Sequence, residues 1–122
     1  MSIRVMALHD VVEVHAIAQQ TFPHAWSIKQ FEAELTHPHA HHWVLTQDEK
    51  VQAFLCTRIF APDAEIVSVA THPEHQRRGW ARRLLEHFIQ VAKVQGVSNV
   101  YLEVRVSNGP AQALYHALGF KP

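Results

Sequence analysis

The chain has 122 residues, of which 48% are hydrophobic and 18% charged, with eleven Lys or Arg against eleven Asp or Glu. That is ordinary globular composition for one domain over residues 1–122, large enough to bury a core without metal or disulfide staples, and it excludes fibrous and disordered classes. A formal net charge of zero excludes bulk attraction to nucleic acid or to an anionic membrane, so any basic patch has to be local.

Taken in chain order, residues 3–7 read as a first strand. Met1-Ser2-Ile3-Arg4 lacks the apolar run of a signal peptide, and no stretch is long enough to span a bilayer, so a cytoplasmic location is expected. Asp10 is placed to cap a helix whose apolar positions Val11, Val14, Ile17 and Ala18 keep helical spacing. Pro23 breaks that helix, and Ser27 caps a second one running to Leu35. Phe22, Trp26 and Phe31 read as core filler.

His37, His39, His41 and His42 stand close together before the next strand. Metal ligands must converge in a fixed geometry with supporting partners, and a polar loop supplies neither. The expectation is therefore a mobile, partly protonated loop and no metal. Residues 43–46 and 51–60 read as a hairpin joined around Gln47-Asp48-Glu49-Lys50. Cys56, the single cysteine, excludes an internal disulfide, and its apolar neighbours make it a buried, inert thiol. Pro62-Asp63 turns the chain into a strand over residues 64–71.

Next comes Gln76-Arg77-Arg78-Gly79-Trp80-Ala81, opening a helix with an apolar stripe at Ala81, Leu84, Leu85, Phe88, Ile89 and Ala92 that stops at Gly96. Arg77, Arg78, Arg82 and Arg83 crowd its first turns, where the helix dipole disfavours cations by about 0.3–1 kcal/mol each. A local rule broken in this way points to an anion, and helix-start amides beside a glycine make a phosphate cradle. The bland alternative is a solvated basic face. Residues 99–106 read as a fifth strand, and Ser107-Asn108 cap a last helix with Pro110 in its first turn and Ala111, Leu114, Tyr115 and Leu118 inward. Hairpin strands followed by a strand-helix-strand crossover argue an α/β domain with a mixed sheet. On the residues alone, Glu103 is either a proton acceptor in an apolar strand or an edge-facing Glu paired with Arg105. Tyr115 is either core or catalytic.

The pattern Q/R-x-x-G-x-G/A, met here by Gln76, Gly79 and Ala81 after a strand and its turn, resembles the acetyl-CoA motif of the GNAT superfamily of N-acetyltransferases. The RimI type within it, which acetylates the N-terminal alanine of a small-subunit ribosomal protein, is matched by Trp26-Ser27 with Phe31, although Pro23 is displaced. It is matched again by Leu102-Glu103-Val104-Arg105-Val106-Ser107-Asn108, and by Ala111, Leu114, Tyr115, Leu118, Gly119 and Phe120.

The resemblance implies a GNAT fold, a mixed central sheet flanked by helices, with acetyl-CoA as cosubstrate and no metal. It implies coenzyme contacts from Val69, Ala70 and Thr71, from the loop amides of Arg77, Arg78, Gly79, Trp80, Ala81 and Arg82, and from Asn108. Glu103 becomes the general base and Tyr115 the general acid. The implied acceptor is a protein N-terminus, with a small-molecule amine, a lysine side chain or a non-catalytic acyl-CoA-binding role as alternatives; no nucleic acid and no membrane are expected. Family members continue past Gly-Phe with two further strands, which this chain lacks, so an exposed sheet edge is expected, belonging either to a shortened form or to a sheet completed by a neighbouring chain in a homo-oligomer.

Overall fold

The structure is a computed structural model and describes residues 1–75 and 78–102. Among the described residues eight main elements follow one another: β1 (Ser2–Val5), α1 (Val11–Thr21), α2 (Ile28–Leu35), β2 (Ala40–Gln47), β3 (Lys50–Phe60), β4 (Asp63–Thr71), α3 (Trp80–Val94) and β5 (Asn99–Leu102). Short 3₁₀ turns at Leu8–Asp10 and Pro73–His75 lead into α1 and toward α3.

The sheet runs β1-β2-β3-β4-β5. The first four strands pair antiparallel, and β5 returns parallel to β4 across α3. A parallel return needs a crossover, and α3 is that crossover. Both faces of the sheet are covered. On one, Trp80, Leu84, Leu85, Phe88 and Ala92 of α3 pack onto Trp43, Leu45, Ala53, Leu55 and Ile66. On the other, Val11, Val14, Ile17 and Ala18 of α1 and Phe31 of α2 cover Val44, Phe54, Cys56 and Ala70. The strand alternation of Ala53, Phe54, Leu55 and Cys56 thus sends successive side chains to opposite cores. The period of 3.6 in α1 and α3 supplies matching stripes.

The helix ends follow local chemistry. Ser27 Oγ accepts the Gln30 N–H at 3.1 Å while the Gln30 side chain accepts the Ser27 N–H at 2.7 Å, a reciprocal capping box. Gly96, at φ +83°, ends α3 in the left-handed region. Asp10 departs from expectation. Its carboxylate makes no bond to the first amides of α1; it accepts the Ala7 N–H at 2.7 Å and a two-pronged guanidinium from Arg4 at 2.7 Å on each oxygen.

The histidine segment also differs from the mobile loop expected of it. Ala40, His41 and His42 are the first residues of β2, in register with Arg58, Thr57 and Cys56. His42 is buried, and the His37 ring nitrogen accepts the His39 N–H at 3.0 Å. Pairing with β3 extends the strand into a run whose own propensity is weak. The inert reading of Cys56 holds, since it is fully enclosed and burial pushes its thiol well above the ordinary range.

Candidate functional site

Sequence and fold meet where β4 runs into the start of α3. At Val67 the strand carries a bulge: Cys56 pairs with Ser68 and Thr57 with Ile66, so two residues of β4 oppose one step of β3. Val67 and Ser68 therefore fall on the same face. β4 pairs with β5 from Asp63 and Asn99 to Ile66 and Leu102, the last of the described residues. Val69, Ala70 and Thr71 then continue in register with Leu55, Phe54 and Ala53; Ala70 and Thr71 are buried and Val69 is half-buried.

After Thr71 the chain is held close to the sheet. The His72 N–H donates to the Gln52 carbonyl at 2.8 Å, and the Glu74 N–H reaches His72 Nδ1 at 3.2 Å. Gly79 turns into α3 at φ +78°, a conformation costly for side chains with a Cβ. A Cβ built on Gly79 meets nothing within 4 Å, so the turn opens onto free space. The first helical bond runs from the Arg83 N–H to the Gly79 carbonyl at 3.0 Å. The amides of Ala81 and Arg82 precede it, and Gly79 has no side chain to cap them. With the positive end of the α3 dipole, this is the geometry of an anion cradle.

The side chains around it divide into two kinds. Trp80 is 6% exposed and sits in the core beneath α3, so it fixes the helix start. The Arg78 guanidinium lies 5.8 Å from the Trp80 ring centroid. Arg82 is exposed and pairs with Glu86 at 2.9 Å, which offsets part of the dipole penalty in the way a solvated face would. The residues present fit a diphosphate held mainly by backbone, with Arg78 and Arg82 at its rim.

Of the residues expected at the site, Val69, Ala70 and Thr71 lie at the end of β4, and Arg78, Gly79, Trp80, Ala81 and Arg82 at the start of α3. Arg77, Glu103, Asn108 and Tyr115 fall outside the described residues.

Sequence reading missed a buried polar network on the opposite face. Glu34 takes a two-pronged bond from Arg58, Nε to Oε1 at 2.8 Å and Nη2 to Oε2 at 2.7 Å. Burial raises the Glu34 carboxyl, but the Arg58 bonds and charge outweigh it and leave it below the usual range. His42 joins this pair, and burial holds its imidazole below its ordinary value despite the pull of Glu34. The available signal was Glu34 three residues after Phe31, on the stripe of α2 that faces inward.

Comparison with known proteins agrees with this geometry. The profile of the Acetyltransferase (GNAT) family matches residues 11–120, and the chain belongs to that family. It is an acetyl-CoA-dependent N-acetyltransferase. The ribosomal protein bS18-alanine N-acetyltransferase of Escherichia coli K12 is 37% identical over 91% of this chain and 74% of its own length. The enzyme of that name from Salmonella typhimurium is 35% identical over 98% of this chain and 80% of its own length. The crystal structure of the Escherichia coli ribosomal-protein-S18-alanine N-acetyltransferase superposes with a TM-score of 0.92 at 35% identity, covering 98% of this chain and 77% of that one.

Proposed function

We propose that this chain acetylates the N-terminal α-amino group of a protein, in the first place the N-terminal alanine of a small-subunit ribosomal protein. The observation that carries this reading is the likeness, along nearly the whole chain, to enzymes named for that acceptor. The bulged β4 leading into an open glycine turn supports it, because it supplies the two parts a thioester carrier needs. Residues 69–71 offer strand backbone to the pantetheine arm, and the amides of residues 77–82 receive the diphosphate.

In this reading Glu103 takes the proton from the ammonium, directly or through water. The freed amine attacks the thioester carbonyl, the C–N bond forms, the C–S bond breaks, and Tyr115 supplies a hydrogen bond or proton to the departing sulfur. Asn108 adds a coenzyme contact beyond β5. The acceptor class suits one carboxylate: an α-amine titrates near about 8 and a lysine near about 10.4, so at neutral pH the free base is over about a hundredfold more abundant for the N-terminus.

The test is an acetyl-CoA assay on an Ala-initiated ribosomal N-terminal peptide, with polyamines and free lysine as competitors. Preferred turnover of the peptide is expected, and Glu103→Gln should lower it at neutral pH and less at high pH. Preference for a polyamine or lysine would overturn the acceptor, and an unchanged rate in Glu103→Gln would overturn the base. Coenzyme binding without turnover of any amine would overturn the catalytic reading.

A further inference from the structure

His42 lies between two elements that share no hydrogen-bonded ladder. Its Nδ1 accepts the Thr57 N–H of β3 at 2.9 Å. Because a main-chain amide donates there, Nδ1 is the acceptor, and the proton of the neutral ring is on Nε2. Nε2 in turn faces the Glu34 carbonyl at 3.3 Å and the Glu34 Oε1 at 3.4 Å, at the end of α2. Thr57 is the β3 residue at the register shift, across from Ile66 and the bulged Val67. It is fully buried, and its hydroxyl donates to the His41 carbonyl. The imidazole thus satisfies an amide at the one step of β3 where the β4 ladder slips.

We infer that His42, oriented by Glu34 and Arg58, is a positioning residue that ties β3, at the step opposite the bulge of β4, to the end of α2 and so steadies the strand on which residues 69–71 are paired. The inference rests on the proposed role of β4 as the coenzyme strand.

The contact has a built-in proton dependence. A second proton on the ring would go to Nδ1 and set N–H against the Thr57 N–H, so the clamp holds only with a neutral imidazole. The charged and titratable groups around it are Glu34, which attracts a proton, Arg58, which repels one, and the buried Cys56 thiol. His37 acts on Glu34, and Glu65 draws Arg58 Nη1 at 3.6 Å. Burial outweighs the attraction of Glu34, so the ring stays neutral at pH 7 and takes up a proton only below its ordinary range of about 6.5.

Two measurements test this on the full chain. Proton–nitrogen correlation spectra of the imidazole at pH 7.5 should show the neutral Nε2–H tautomer, and Thr57 should be strongly protected from hydrogen exchange. Coenzyme A titrations at falling pH, carried from pH 7.5 through the point at which those spectra show the imidazole taking up its second proton, should show wild-type affinity falling several-fold across that step. His42→Asn, which keeps an oxygen acceptor near Nδ1 and gains no proton in that range, should show a much flatter dependence; ionisation of the coenzyme itself is common to both proteins. Glu34→Gln should leave Thr57 less protected at pH 7.5. An Nδ1–H tautomer, or identical pH dependence in wild type and His42→Asn, overturns the inference. Failure of the wild type to bind coenzyme A at any pH refutes the functional reading instead, and tautomer and Thr57 protection then decide the clamp alone.

Discussion

Asp10 and Glu34 are buried carboxylates kept ionised by the same device, an arginine fork that fills both oxygens. A carboxylate taken out of water costs several kcal/mol unless its lone pairs are met, and a planar guanidinium meets two at once. Burial pushes the Asp10 carboxyl up, yet the Arg4 bonds, the Ala7 amide and the Arg4 charge together leave it below the usual value. Asp10→Asn keeps the shape but removes the charge and one acceptor from that fork. It should destabilise the fold by about 1–3 kcal/mol, read as a lowered midpoint in urea unfolding with unchanged slope. Because Arg4 is 40% exposed, solvent screening holds the loss toward the lower end.

The start of α3 shows how one element separates structural from functional duty. Trp80 roots the first turn in the core, while Gly79 presents backbone to open space. Gly79→Ala separates these duties experimentally. At φ +78° a Cβ costs about 1–2 kcal/mol of backbone strain, with no steric clash to add. Thermal stability should drop by that modest amount, whereas the methyl would stand where a diphosphate approaches, so the KM for acetyl-CoA should rise much more than stability falls. A KM left unchanged by the substitution would place the diphosphate elsewhere.

For the whole molecule, acid should unfold the protein in stages. The His42 imidazole sits below its unfolded value, so the folded state resists its proton; stability is complete above about pH 6.5 and is lost as pH falls through the lower folded value. Glu34 and Asp10 are also depressed, and each contributes stability that is present above its unfolded carboxyl value of about 4 and lost as pH falls through its folded value. Scanning calorimetry from pH 7.5 to 3 should therefore show Tm declining first just below pH 6.5 and again, more steeply, below about 4. A Tm flat from 6.5 to 5 would mean that His42 is not held neutral by the fold.

Local chemistry made much of this readable in advance. The Ser27 cap, the inward stripe Val11, Val14, Ile17 and Ala18, the Gly96 stop and the glycine turn at Gly79 depend on neighbours within a few residues, so the sequence by itself determined them. The motif before α3 likewise announced the family, because its spacing is short and lies within one turn and helix start. Tertiary structure alone decided the rest. The bulge at Val67 falls within Ile66-Val67-Ser68-Val69, where the slipped register depends on how β3 pairs with it and not on the residues themselves. His42 became strand because β3 pairs with it, Glu34 went inside because Arg58 comes from another element to meet it, and Asp10 turned away from α1 because Arg4 lies across from it. Each of these choices is set by a partner distant in sequence, whose position exists only once the sheet has formed.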